Sequence, residues 1–475
     1  MSILQFAFSF IVASTVYVPS DYSTIQAAIN ASSSGDSIMV LPGTYYTDID
    51  FSGKDVHVES TDGPDSTLLF NCNITIDKGE SRAAVLKGFR VEGDVDYYVN
   101  VIEIENSDPT IVGNVFCNYY CSYCGAMYED AKNGCVIGLV NSAALIEGNE
   151  FIDNDIYWDS YFSGSDYSIL RGFCIYIENL VPGDQVEIRN NHFIDNDGTF
   201  YSVYVWGYCV YASGNVLFDN NLFHNNGSST NWYDKANAIY CEEASEVSIT
   251  NSTFFENGYQ SNRPVILVAA SASCEIRNCI IWENALSGSP NVEYSDVQNG
   301  FSGIGNIDEN PQFVTDLLSD CHLGSGSLCI DAGDPDSSYS DPEDPDLPGY
   351  AAWPALESTT NDMGVYGGPG AAYWNDPVTA IEQTSAEVVA QPLEILSISP
   401  NPSNSVVNIE AFLSEAGSVD LLVYDISGHV VRLAEDMDLP AGTSRLSYTV
   451  PNSGVYFCRI TGDNHSAFGC FTVIR

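Results

Sequence analysis

The sequence predicts an all-β protein, a parallel β-helix solenoid followed by a small β-sandwich, and three observations carry that prediction. One short phrase recurs six times: IVGNVFCN from Ile111, IEGNEFIDN from Ile146, IRNNHFIDN from Ile188, FDNNLFHNN from Phe218, ITNSTFFEN from Ile249 and IRNCIIWEN from Ile276. Its fourth position is Asn114, Asn149, Asn191, Asn221, Ser252 and Cys279, at intervals of 35, 42, 30, 31 and 27 residues, and self-similarity at such a period marks stacked coils. Short strands rich in β-branched and aromatic residues, punctuated by Gly, Asn and Asp, show no helical period. The last stretch, residues 394–475, alternates apolar and polar residues between turns, the pattern of a small sandwich.

At the start, MSILQFAFSFIVAS (1–14) is apolar from Ile3 to Val12 and reads as a secretory signal with cleavage near Ser14. Its n-region is atypical, since the first basic residue is Lys54, and a buried first strand is the competing reading. Ser23 and Thr24 then cap a short amphipathic helix, IQAAINA, expected to cover the open end of the solenoid. SIMVLPGTY follows as a strand ending at Pro42–Gly43.

The coils run through residues 15–310. An apolar strand precedes each phrase: VIEIE, CVIGLV, FCIYIEN, CVYAS, AIYCE and VILVAA in turn. The phrase itself is expected to supply one more strand, and the Asn behind it to turn the chain. That column, Asn154, Asn196, Asn226, Asn257 and Asn284, is expected to take left-handed backbone and to bond from coil to coil through its amides. The acidic residues before most of them, Asp153, Asp195, Glu256 and Glu283, read as solvated turn positions.

Charge excludes several partners. With 15 Lys and Arg against 64 Asp and Glu in 475 residues, the formal charge of −49 rules against nucleic acid, whose affinity comes from cations on phosphates. It disfavours anionic lipid surfaces, and bare polyuronates unless divalent cations bridge the two. Fourteen cysteines suit export, where disulfides persist, although Cys135, Cys174, Cys209 and Cys241 recur at similar places and are expected to stack as small buried residues.

The opening from Val18 to Thr61, together with the Asn-phrase coils, resembles the pectin lyase-like right-handed parallel β-helix proteins over roughly residues 16–310. Residues 305–374, above all Leu328–Pro335 and the ending NDMGVYGG, are similar to a segment that closes many bacterial surface β-helices, which sets a closing segment at 311–374. Its Asp331, Asp334, Asp336, Asp341, Asp344, Asp346 and Asp362 give an oxygen density suited to calcium, with a solvated acidic loop as the competing reading. After a linker at 375–393, the final unit resembles the C-terminal sorting domain of type IX secretion cargo. Pro400–Asn401–Pro402, Tyr424–Asp425–Ile426–Ser427–Gly428, Ala441–Gly442 and Ser453–Gly454–Val455–Tyr456–Phe457 carry that likeness. It implies a protein secreted or held at the surface of a Gram-negative bacterium, with the outer-membrane secretion machinery as a partner. Family members usually place a Lys where this chain has Cys470, and Cys458 is expected to face Cys470 across a turn.

Catalytic signatures are sparse. The paired Asp motifs and Gly-His-Gly of polygalacturonase-like hydrolases are missing, and the few cations between residues 95 and 300, Lys132, Arg171, Arg189, Lys235, Arg263 and Arg277, show no lyase pattern. Cys117, Cys121 and Cys124 have a cluster-binding spacing, but they follow a repeat phrase in an exported chain and read as packed or bridged thiols. The best constellation is the first strand of successive coils: Tyr176 and Glu178, Tyr211, then Tyr240, Glu242 and Glu243. The resemblance makes that strand the floor of a substrate groove, and aromatics beside carboxylates suit sugars, with tyrosine rings that merely pack on their strand neighbours as the competing reading. Two inserts, 157–168 and 199–208, add Tyr157, Trp158, Tyr161 and Trp206 as candidate carbohydrate or protein contacts, with loops folding on their own aromatics as the competing reading. The expected function is surface binding or structure, with polysaccharide or a cell-surface glycan as ligand. The alternative is a glycan hydrolase or lyase working near Glu178 and Glu242.

Overall fold

The computed structural model describes residues 13–371 and 393–473, apart from 94–99, 122–134, 160–167, 180, 182, 202, 228–235, 259–262, 283–284, 315–320, 346, 400–405, 414–415, 426–429, 450–453 and 463–464. The apolar stretch proposed as a signal therefore lies outside the described residues. The chain divides into two compact units, residues 1–377 and 378–475.

The first unit is a parallel β-helix. Three parallel sheets run its length: eleven strands from Thr15–Val18 to Asn291–Glu293, nine from Ile49–Asp50 to Leu286–Ser287, and ten from Gly43–Tyr45 to Asp296–Val297. Each recurring phrase supplies two strands where one was expected. Val186–Arg189 joins the eleven-stranded sheet and His192–Ile194 the ten-stranded one, with Asn191 at the bend between them. The register is that of the phrase alignment, with Ile111, Ile146, Ile188, Phe218, Ile249 and Ile276 in one buried column. A second column stacks Phe116, Phe151, Phe193, Phe223 and Phe254 at 5.0, 4.7, 4.5 and 4.7 Å between ring centroids. Identical side chains meet because the strand spacing, about 4.8 Å, is also a comfortable ring-stacking distance.

Polar ladders hold the corners. The Asn114 side-chain amide donates to Asn149 Oδ1, Asn149 to Asn191 and Asn191 to Asn221, at 3.0 to 3.1 Å. The column then continues through Ser252 and Cys279. Asn154, Asn196, Asn226 and Asn257 form a second ladder at 2.8, 2.8 and 2.9 Å. Left-handed backbone falls one residue earlier than expected, on Asp153, Asp195, Asn225 and Glu256, with φ between 50° and 54°. The buried Asn must aim its amide along the stack, so the exposed neighbour takes the tight corner.

The capping helix, Ile25–Ala31, starts at Thr24, whose Oγ1 accepts from the Ala27 N–H at 3.1 Å, and it buries Ile25, Ala28 and Ile29. Lys54 closes its other end by donating to the carbonyls of Ile29, Asn30 and Ser32. The closing segment lies along one corner of the coils. Asn220 Nδ2 donates to the carbonyls of Val365 and Gly367, each at 2.7 Å, and Asn278 takes both the Gly364 N–H and the Asp334 N–H.

The second unit sets a three-stranded antiparallel sheet (Leu393–Ser399, Val406–Leu413, Gly442–Thr449) and a four-stranded one (Gly417–Asp425, Val430–Leu439, Gly454–Gly462, His465–Val473) around one core that includes Val407, Ile409, Leu421, Val423 and Ile460. It is the expected sandwich. The expected cysteine pairing is corrected: Cys458 lies opposite Gly469 and Cys470 opposite Phe457, so the antiparallel register places the two a full residue out of step.

Candidate functional site

The nine-stranded sheet brings the predicted first-strand residues together. Ile175–Glu178, Val210–Ser213 and Ile239–Cys241 are parallel and in register, with Tyr176 opposite Tyr211 and Tyr211 opposite Tyr240. Their rings stack at 5.4 and 5.7 Å, with interplanar angles of 15° and 17°. Tyr176 donates its hydroxyl to Glu178 Oε2 at 2.8 Å, and Tyr211 donates to Glu242 Oε2. Burial, reinforced by these carboxylates, pushes the phenols of Tyr176 and Tyr211 well up, and that of Tyr240 to about 12. All three therefore stay protonated donors in neutral solution.

Glu178 is opposite Ser213, and the Glu242 N–H continues the ladder to the Ala212 carbonyl at 2.9 Å. The two carboxylates thus share one column two rungs apart, roughly 10 Å of backbone at about 4.8 Å per strand. Glu243 is exposed, and its N–H donates to Glu242 Oε1.

The tyrosine rings pack on their strand neighbours, the competing reading of this constellation. Tyr211 and Tyr240 are only 6% and 4% exposed, in a small cluster with Ala236, against which Tyr176, Trp206 and Leu267 pack. Arg171 lies against Tyr211 and Trp206 against Tyr240, and the inserts that carry them form strands where loops were expected. Ser168–Arg171 pairs in parallel with Val203–Trp206, and Asp155–Asp159 with Asp197–Tyr201. Gly172 and Gly207, at φ 60° and 70°, join the first pair to the strands of the nine-stranded sheet; a Cβ at either would lie 2.1 Å from the carbonyl of Ile175 or Val210. Tyr157 and Trp158 lie on the Asp155–Asp159 strand, opposite Thr199 and Phe200, while Tyr161 is outside the described residues.

What remains accessible is the rim of this cluster. Arg171, which lacked any pattern in the sequence, stands opposite Trp206, with its guanidinium 5.1 Å from the Trp206 ring centroid and 5.8 Å from that of Tyr211. Its buried Nε finds no hydrogen-bond acceptor among the described residues. Trp206 packs on Tyr240 at 5.6 Å. Tyr176, Glu178, Glu242, Arg171 and Trp206 are all half-buried, so one cation, two carboxylates and two rings edge a single patch. One signal for Arg171 was present: it and Trp206 each precede a Gly-aromatic-Cys triplet, Gly172–Phe173–Cys174 and Gly207–Tyr208–Cys209.

Elsewhere, several of the predicted residues bond within the fold. In the closing segment, Asp362 accepts the N–H groups of Asp331 and Leu356, and Asp341 those of Gly368 and Asp362. Asp334 accepts the Asp336 N–H and pairs with Arg277, Asp336 accepts from Ser338, and Asp331 from the Ser358 hydroxyl. Asp344 donates its own N–H to the Tyr350 carbonyl, and Asp346 is outside the described residues. Among the described residues no group of three or more His, Cys, Asp or Glu is placed to hold a metal ion. Cys117 is buried, its thiol pushed up to about 12 by desolvation, and it bonds Glu92; Cys124 lies outside the described residues.

Residues 397–472 match the family of secretion system C-terminal sorting domains. The C-terminal unit is a sorting domain. The type IX motifs thus report correctly on this chain: the sorting domain marks it for export, to the cell surface or beyond. No curated protein matches the chain in sequence. Among solved structures it is similar to a mutant of the family 6 alginate lyase AlyGC, at 13% identity and a TM-score of 0.25, over 64% of this chain and 54% of that one. The chain therefore spans about half the length of that lyase. It is also similar to a mannuronic acid specific family 6 polysaccharide lyase from human gut microbiota, at 10% identity and a TM-score of 0.26, over 63% and 79% of the two chains. Ahead of the sorting domain, the β-helix is what the secretion machinery delivers.

Proposed function

We propose that the exported β-helix is a surface or secreted glycan-binding protein, and that its contact site is the rim formed by Tyr176, Glu178, Glu242, Arg171 and Trp206. The observation that carries this reading is the position of Arg171. Its guanidinium lies against Trp206 and Tyr211 on a half-buried side chain, where its outer N–H groups can donate to a sugar hydroxyl or ring oxygen. Carboxylate oxygens beside it accept sugar hydroxyls, and the Trp206 ring offers an apolar surface to a pyranose.

Binding fits better than catalysis because both carboxylates are already engaged by tyrosine hydroxyls. The specific observation on the other side is the shared column of Glu178 and Glu242, whose spacing approaches that of an acid and base pair about 6.5–9.5 Å apart. A glycan affinity array, run alongside assays for reducing ends and for unsaturated uronate products, tests both. Retention of a glycan without product, weakened in Glu178→Gln and Glu242→Gln, is the expected result. Product formation abolished by either substitution would establish a hydrolase or lyase instead. No retention on any glycan would leave a purely structural surface role.

A further inference from the structure

The cysteines at the foot of the inserts have a relationship that neither the fold nor glycan binding requires. Cys174 and Cys209 occupy adjacent rungs of the nine-stranded sheet: Ile175 is opposite Val210 one residue later, and the Cys174 N–H donates to the Cys209 carbonyl at 3.1 Å. Parallel neighbours lie about 4.8 Å apart, inside the Cα separation of about 4.4–6.8 Å that disulfides span. Both side chains are completely buried in the same core, where both thiols are free. We propose that Cys174 and Cys209 form a disulfide in the exported protein, stapling together the two coils that carry the insert strands.

Other cysteines have different partners. Cys135 Sγ lies 3.1 Å from Asn100 Oδ1. Cys241, which was expected to continue this stack, is opposite Ala212, three positions further along; the residue on the rung after Cys209 is Ala238. The staple sits two residues beyond Gly172 and Gly207, the points at which each insert strand turns back into the helix. It therefore fixes Arg171 relative to Trp206 through a second, covalent link besides their strand pairing.

Export supplies the setting, since disulfides persist outside the cytosol. The oxidant is an exchanging disulfide, either of a thiol-disulfide oxidoreductase or of a small-molecule couple. One cysteine thiolate attacks it to form a mixed disulfide and release one thiol. The second thiolate then displaces the remaining thiol, so two electrons and two protons leave the pair and one S–S bond forms while one is reduced. Exchange takes place before the coil closes, because in the folded chain burial pushes the Cys209 thiol well up and shields both sulfurs.

The test uses the full chain isolated from an exporting host, denatured and alkylated without reductant, then digested for peptide mapping by mass spectrometry. The expected result is a linked peptide pair joining Cys174 to Cys209, two hydrogens lighter than the sum and separated by reductant. Alkylation of both cysteines, or a link from Cys174 to Cys135, overturns the proposal. As a second measurement, the wild type is melted with and without reductant beside Cys174→Ala. Reductant is expected to lower the wild-type melting temperature and leave the variant unchanged; an unchanged wild type overturns the staple.

Discussion

Asn149 donates its side-chain amide to Asn191 Oδ1 at 3.1 Å across 42 residues of chain, the longest step in its ladder. The insert strand at 155–159 lies inside that interval, yet the step is as short as its neighbours, so the ladder absorbs insertions without losing register.

Asn191→Ala is accordingly expected to be among the most destabilising single changes in the solenoid. Asn191 Oδ1 accepts two Asn149 donors, and its Nδ2 serves the carbonyls of Ile146 and Arg189. Each buried group left unpaired costs about 1–3 kcal/mol, so a loss of at least about 3 kcal/mol should appear in denaturant unfolding. Asn191→Asp, which keeps the acceptors and lacks the donor, should also destabilise.

Arg171→Ala should weaken glycan retention while leaving the fold intact. Losing a hydrogen bond from a charged donor to the sugar costs about 1.5–3 kcal/mol, or roughly ten- to a hundredfold in affinity. Titration calorimetry with the retained glycan measures it, and Trp206 fluorescence should shift as the guanidinium leaves its ring.

Two buried acids give the closing segment a pH signature. Burial raises Asp341 to about 7, and burial together with the neighbouring Asp341 raises Asp362 to about 8, against backbone N–H bonds that pull the other way. The unfolded chain releases these protons near the ordinary 3.8, whereas the folded chain holds them longer. Between about pH 4 and pH 8 the native state binds more protons, so stability falls as pH rises through that window. Urea midpoints across it should slope downward in the wild type and less steeply in Asp362→Asn, a comparison that removes the background repulsion of the −49 charge.

Gly370→Ala should loosen the closing segment from the coils. A Cβ there would lie 2.0 Å from Asn220 Oδ1, in a side chain already committed to Val365 and Gly367. Limited proteolysis should cut the variant near residues 364–371 faster than the wild type, with the β-helix core unaffected.

Much of the fold was legible in the chain. The phrase alignment is the register, because identical residues one coil apart must fall on the same rung, and Ile188, Phe193 and Asn191 each take the buried place their periodicity indicates. The sorting domain was legible too, since its turn motifs are local. Local signals misplaced the left-handed corners by one residue, as residue preference does not say which of two neighbours is buried.

By itself, the sequence determined a stacked β-helix with a sorting domain and an acidic, exported character, all of which depend on periodicity, composition or short motifs. Tertiary structure alone decided what is exposed. Tyr211 and Tyr240 offer aromatic faces that suit a sugar floor, but they are buried, with Arg171 and Trp206 from the inserts against them. The closing segment reaches Asn220 from 145 residues away. Burial is a property of what arrives from elsewhere in the chain, and a strand's own alternation records only which face it offers.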